Sequence, residues 1–386
     1  MDLRFKDFKK YLSKLDWFLI AAVFISTVYG WLLVKSTTNP MPTNSYVIVQ
    51  SGAVFIGVVS MLVMANLDYC HVIKYTKYFY ALAIAGMTIV LIFGEGAEEV
   101  GRGSWIRFFG IGIQPSELVK ILYIVCLAKR LDKIKENINH PLNIALTLVY
   151  AGIILGMVVF DNLGSALVFI FITFVMFFFA GVSVWYFLAF GAVITALSPV
   201  IWSFMGEYQK MRILAGFDPS IDPEGYGWQA IRSMRAIGSG GLFGAGFQKG
   251  YITQNKLLTA QQTDFIFATA GEEFGFLGAI LVIVLLSVII MRILLVSFKT
   301  KNTVGSLICA GVFGMFMAQT VENIGMCLGV MPVVGVTLPF FSYGGSSVVS
   351  CYMGIGLVLS VYSRRNIYFF TRDENLDSKN QEFLNW

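Results

Sequence analysis

The chain has 386 residues, 57% hydrophobic and only 13% charged, where soluble domains carry about 25% charge. This excludes an ordinary polar-surfaced globular enzyme. The net charge of +5 sits in short blocks between apolar runs, which argues for membrane anchoring and against nucleic-acid binding.

A membrane-crossing helix needs about 20 apolar residues. Ten runs approach that length: 16–34, 47–65, 76–94, 116–130, 143–160, 164–181, 184–204, 265–290, 304–328 and 345–362. The expected fold is an all-α polytopic membrane protein with about ten transmembrane helices. The fourth run is the least apolar, because Glu117 and Lys120 lie in its first turns. The first is too long, and wrongly flanked, for a cleaved signal peptide, and reads as a signal anchor.

A large extracytoplasmic loop, 205–263, separates the seventh and eighth runs, and the membrane domain spans 16–364. Residues 1–15 and 365–386 are expected to form cytoplasmic tails, the second polar and without readable function from Thr371 to Trp386. Basic residues fix this orientation. With the N-terminus inside, inner segments hold Arg4, Lys6, Lys74, Lys129, Arg130, Arg292, Lys299 and Arg364, whereas short outer loops hold only Lys35, Arg102 and Arg107.

The five cysteines are scattered, without metal-ligand or disulfide spacing, and no metal site is expected. Both histidines, His71 and His140, fall in inner loops. Chemistry on the outer face must then use carboxylates as general bases.

Polar residues collect in three outer insertions. The first runs from Arg102 through Trp105 and Arg107 to Gln114-Pro115-Ser116-Glu117-Leu118-Val119-Lys120. Pro115 suits a first helical turn, and Glu117 and Lys120 share one helix face. Trp105 suits either an interfacial belt or, beside Arg102, a substrate groove.

The second insertion is the long loop, which carries Arg212, Arg232, Arg235 and Lys249. Residues 226–237 are expected to form an amphipathic helix on the membrane surface, presenting Arg232 and Arg235 either to an anion or to lipid headgroups. The following glycines, 238–246, permit close backbone approach and exposed amides, but fit neither a dinucleotide fingerprint nor a P-loop.

The third runs from Gln319 through Glu322, Pro332 and Pro339 to Ser342 and Ser346. It reads as a broken segment lining a cavity, since non-helical backbone survives at membrane depth only inside protein or against water. Asp161 lies at another outer helix end, where it would cap the next span or pair with Lys120. Asp264, in Gln262-Thr263-Asp264-Phe265, stands where the long loop enters a span that also contains Glu272 and Glu273. The plain alternative for these acids is an N-cap at Asp264 and buried ion pairs for the glutamates. Outer bases, glycines, aromatics and an acid together suit an anionic, lipid-linked substrate.

Four motifs occur in order: Gln-Pro-Ser-Glu-Leu-Val-Lys from 114, Gly-Ser-Gly-Gly-Leu-Phe-Gly from 238, Thr-Asp-Phe-Ile-Phe-Ala from 263 with Glu-Glu-Phe-Gly from 272, and Thr-Leu-Pro-Phe-Phe-Ser-Tyr-Gly-Gly-Ser-Ser from 337. In these the chain resembles the SEDS proteins of shape, elongation, division and sporulation, across essentially the whole membrane region. Within that family it is more similar to the RodA branch than to FtsW. The resemblance implies a ten-span peptidoglycan glycosyltransferase of the bacterial cell membrane. It would polymerise lipid II on the outer face beside a class B penicillin-binding protein.

By the same resemblance Asp264 takes the place of the family's essential aspartate and Trp105 that of an important tryptophan. Glu117 and Lys120 match an intramembrane pair. One departure is the run Val159-Phe160-Asp161-Asn162-Leu163-Gly164-Ser165, where many members have Gln-Pro-Asp-Leu-Gly-Thr.

The mechanism expected is inverting transfer. Asp264 would act as base on the acceptor hydroxyl, with pyrophosphate leaving. Candidate substrate-binding residues are Arg102, Trp105, Arg212, Arg232, Arg235, Lys249, Ser342 and Ser346. No cofactor is required beyond an optional divalent cation, Mg or Mn. Glu117, Lys120, Asp161, Glu272 and Glu322 are expected to be structural intramembrane groups. On a straight helix Glu272 would lie about 12 Å beyond Asp264, too far for the paired carboxylates of a glycosidase. The rival functions are a lipid II flippase, suited by the buried charges and broken helix, and a membrane scaffold.

Overall fold

The computed structural model describes residues 15–41, 45–94, 104–108 and 111–364. Among the described residues the helices longer than one turn, in chain order, are α1 (Trp17–Thr38), α2 (Ser45–Asn66), α3 (Thr76–Phe93), α4 (Pro115–Ile134), α5 (Pro141–Asp161), α6 (Leu163–Phe179), α7 (Val184–Phe204), α8 (Glu207–Phe217), α9 (Trp228–Ser239), α10 (Ile266–Lys299), α11 (Thr303–Cys327) and α12 (Gly345–Arg364). A two-stranded antiparallel hairpin, β1 (Ile106–Phe108) and β2 (Ile111–Ile113), precedes α4.

Eight of the described helices are long and apolar enough to cross a membrane: α1, α2, α3 with the turns before it from Tyr69, α5, α7, α10, α11 and α12. The other two predicted runs fall on α4, which carries several charges, and on the shorter α6. Large apolar side chains such as Phe24, Phe55, Ile92, Phe160 and Phe190 are exposed. Facing outward on a helical bundle, they suit hydrocarbon rather than water.

Packing between helices relies on small residues, as expected where lipid offers no hydrophobic drive to association. On α2, a Cβ at Gly57 would come within 2.5 Å of the Tyr352 ring of α12, and one at Gly356 of α12 within 2.7 Å of the Met61 carbonyl. At one end of the bundle Asp16 accepts from the Leu19 amide (3.2 Å), capping α1, and pairs with Arg292 of α10 at 2.6 Å.

The α10 helix continues nine residues past the predicted run, and it is broken. Gly275 has φ 68° and ψ −163°. The peptide groups freed by this break are satisfied by the glycine-rich stretch of the long loop. Ala245 and Gly246 amides donate to the Glu272 and Glu273 carbonyls, and Phe276 and Leu277 amides donate to Gly241 and Leu242. A Cβ on Gly244 would lie 2.2 Å from the Glu273 carbonyl oxygen. The loop glycines thus exist so that two backbones can meet, and the amides of Ala245 and Gly246 are used inside the protein.

Candidate active site

Asp264 does not cap α10. The residue before the helix is Phe265, with no side-chain cap bond. Asp264 sits in a turn whose amide donates to the Ala260 carbonyl at 3.0 Å, so straight-helix arithmetic from Asp264 to Glu272 does not apply. The plain N-cap reading is therefore overturned by the backbone. Its carboxylate is half-buried, and burial pushes its pKa up from 3.8 to about 6, opposed by the Thr263 hydroxyl.

The wall against that carboxylate is the extended segment 332–338. Gly335, at φ 71°, faces it so closely that a Cβ would lie 3.3 Å from Asp264 Oδ2. The wall is held from several sides. Arg212 of α8 donates to the Val333 carbonyl at 3.0 Å. Asn323 of α11 donates to Asp264 O at 2.8 Å and to Val336 O at 2.7 Å. The Ser342 hydroxyl donates to Thr263 O and accepts from the Leu338 amide at 2.8 Å. The Tyr343 amide bonds Gln262 O at 2.8 Å. At Gly164 of α6 a Cβ would lie 2.4 Å from Val334 O, which brings the Asp161 region to the same wall.

Two elements fix the loop that leads into Asp264. Glu272 accepts from the Ile252 amide (2.6 Å), the Thr253 amide (2.9 Å) and the Thr253 hydroxyl (2.6 Å). Glu273 accepts from Ser36 of α1 (2.6 Å) and Gln254 (3.0 Å). Both glutamates bind hydroxyls and amides; the expected buried bases are not their partners. Gln261 completes the tie by donating to Thr37 O and Thr253 O.

Deeper in the bundle, Lys120 and Glu117 form a buried pair at 2.7 Å, with Ser350 of α12 at 3.4 Å from the second glutamate oxygen. Lys120 also acts electrostatically on Glu322, one of whose oxygens is buried without a hydrogen bond. Asp161 is buried at the end of α5, beside Ser104 and Ser116. The cap of α6 comes from Asn162, which accepts from the Ser165 amide at 3.1 Å. The expected Asp161 cap and Asp161–Lys120 pair are both replaced: Asn162, at the extended φ −152° and ψ 118°, takes the cap, and Glu117, one turn away on the same helix, takes the lysine.

The remaining candidates lie as follows. Trp105 is partly exposed beside the hairpin, its ring over Gly112. Arg102 lies outside the described residues. The helix expected at 226–237 is α9, whose buried Ala230, Ser233 and Ala236 pack on α10 and α11, so that it is docked on the bundle. Ser233 bonds the Cys327 carbonyl at 2.8 Å. Arg232 does not pair with Arg235 toward a common anion; it stacks on Trp228 at 3.7 Å and donates to the Leu257 carbonyl. Arg235 and Lys249 are exposed. Ser346 accepts from the Gln114 amide at 3.0 Å. Asn323 and Gly335 escaped the sequence reading. The sequence signal for Asn323 is a carboxamide inside an apolar span, one residue from the charged Glu322.

A family model described as a cell cycle protein family, that of FtsW, RodA and SpoVE, matches residues 12–367. The chain belongs to this family. Among FtsW/RodA/SpoVE relatives, the chain is 36% identical over 317 residues to stage V sporulation protein E of Bacillus subtilis, covering 80% of this chain and 85% of that one. It is 32% identical over 320 residues to the peptidoglycan glycosyltransferase MrdB of Escherichia coli, covering 82% and 85%. Of solved structures, a chain from a peptidoglycan synthase complex, studied for coordination of polymerization and crosslinking, superposes with TM-score 0.80 at 28% identity, covering 92% and 99%. The rod shape determining protein RodA of Thermus thermophilus superposes with TM-score 0.68 at 27% identity, covering 91% and 98%. The polytopic helical fold is therefore that of the FtsW/RodA/SpoVE family.

Proposed function

We propose that the protein is a peptidoglycan glycosyltransferase that polymerises lipid II by inverting transfer, with Asp264 as general base. The observation that carries this is the placement of Asp264: a carboxylate on a turn, half-buried against Gly335 and raised toward pH 6 by burial, in a chain whose relatives are named glycosyltransferases. A base works best with a pKa near the working pH. The acceptor hydroxyl of one disaccharide gives its proton to Asp264 and attacks the anomeric carbon of the donor. The carbon–oxygen bond to undecaprenyl pyrophosphate breaks, and the pyrophosphate leaves as an anion that needs no protonating acid. Arg212, Arg235 and Lys249, with Trp105 and Arg102, are the candidate contacts for sugar and pyrophosphate. A divalent cation, Mg or Mn, would help to neutralise the leaving charge.

The topology follows the basic residues: ten crossings, both tails cytoplasmic, and the Asp264 side extracytoplasmic. The match to a synthase complex supports a class B penicillin-binding protein as partner; the match to a rod shape determining protein supports a role in elongation, and that to stage V sporulation protein E supports a division or sporulation role as the second reading. The test is polymerisation of purified lipid II in detergent, with and without the partner and Mg, by wild type and Asp264→Asn. Glycan strands from wild type and none from a folded variant are expected. Equal polymer from both would remove Asp264 from the chemistry. Absence of polymer with accelerated lipid II movement between leaflets would favour transport.

A further inference from the structure

We propose that Asn323 is a positioning residue for Asp264, holding the aspartate turn against the wall formed by 332–338. The proposal rests on Asp264 being the base. Asn323 is wholly buried on α11. Its nitrogen spends one hydrogen on Asp264 O (2.8 Å) and the other on Val336 O (2.7 Å). Its oxygen receives only a long contact from the Cys327 thiol at 3.9 Å.

The need for a carboxamide follows from which groups meet. Asp264 O and Val336 O are both acceptors, so they cannot bond each other and their dipoles repel. A neutral nitrogen with two hydrogens is the group that joins them, and among side chains only Asn and Gln carry one. Two residues further along, the Ser342 hydroxyl makes a second join of a different kind, donating to Thr263 O and accepting from the Leu338 amide. The Asp264 turn and the wall are thus stitched at successive positions by one side chain from α11 and one from the wall's own return. Gly335, which faces the carboxylate, lies immediately before the Asn323 stitch. Removing Asn323 leaves Val336 O without its side-chain donor and Asp264 O with only the weak Cys327 thiol contact at 3.6 Å, a cost of about 1–3 kcal/mol per unsatisfied group that the segments escape by parting. The carboxylate would then shift relative to its wall while Arg235, Lys249 and Trp105 keep their places.

The experiment uses the full-length chain in detergent with its penicillin-binding partner and purified lipid II, comparing wild type, Asn323→Ala, Asn323→Ser and Asp264→Asn. Rates are expressed per folded, monodisperse molecule. A misplacement of about 1 Å costs on the order of 100-fold, so Asn323→Ala should lose about 10–100-fold in kcat with KM within about twofold. Asn323→Ser, whose single hydrogen serves one carbonyl, should fall between. If the alanine variant does not fold, the serine variant carries the same readings. A kcat per folded molecule within about twofold of wild type, or a loss confined to KM, beside an inactive Asp264→Asn, overturns this proposal alone. An active Asp264→Asn overturns the base assignment and this proposal with it.

Discussion

Gly335 stands close against Asp264: a Cβ would lie 3.3 Å from Oδ2, a few tenths of an ångström tighter than ordinary contact, on a backbone at φ 71°. Gly335→Ala therefore meets two penalties. A left-handed backbone costs a residue with a side chain about 1–2 kcal/mol, and the methyl displaces the carboxylate from its wall. We expect a modest fall in melting temperature and a drop in polymerisation that is larger than the loss of folded protein. Thermal unfolding and lipid II turnover on the same preparation check this.

The raised pKa of Asp264 has consequences of opposite sign for activity and stability. As the proposed base, Asp264 works when ionised, so kcat/KM should fall about tenfold per pH unit below about pH 6, given a pKa near 6. Because the folded pKa exceeds the unfolded one, the folded state binds more protons between about pH 4 and 6, and stability drops as pH rises through that window. Asp264→Asn should then be no less stable than wild type at low pH and more stable at pH 8. Melting curves from pH 4 to 8 on both proteins read the sign directly.

Glu272 accepts three hydrogen bonds from Ile252 and Thr253. Gln offers one acceptor oxygen and an unwanted donor, so Glu272→Gln should destabilise by about 1–3 kcal/mol and loosen the run into Asp264. Amide exchange should speed up in 250–264, while the pH dependence of the remaining activity stays where Asp264 sets it.

Breaking the buried Lys120–Glu117 pair strands a charge. Lys120→Met should cost about 3–5 kcal/mol, and adding Glu117→Gln should recover part of that. A double-mutant cycle in melting experiments, with the single Glu117→Gln, measures the recovery.

What the sequence revealed depended on how local the physics was. Helices such as α2, α7 and α12 were legible because each is a continuous apolar run between polar breaks. The glycine run at 238–246 was legible as a place of close backbone approach, but not its partner, because the break at Gly275 is invisible in an unbroken string of apolar residues. Asp264 stood out by its type and its place. Its wall did not, since Gly335, Asn323 and Asp264 are far apart in the chain and meet only when α10 and α11 pack. The Asp161 cap went to Asn162 for a similar reason: either residue suits the position by type, and only the backbone angles decide.

Asp264, its stitched wall, and the stub of α10 before Gly275 all belong to material clamped by the long loop, whereas the lipid-facing stretch after Gly275 begins a separate helix axis. The height of the acid above the bilayer is consequently set by docking between protein segments and not by the length of the spanning stretch. Bilayers differ by several ångströms in thickness. A spanning stretch with its own axis after Gly275, packed on α1 and α11 and tied to Asp16 through Arg292, meets such differences separately from the segments that hold Asp264.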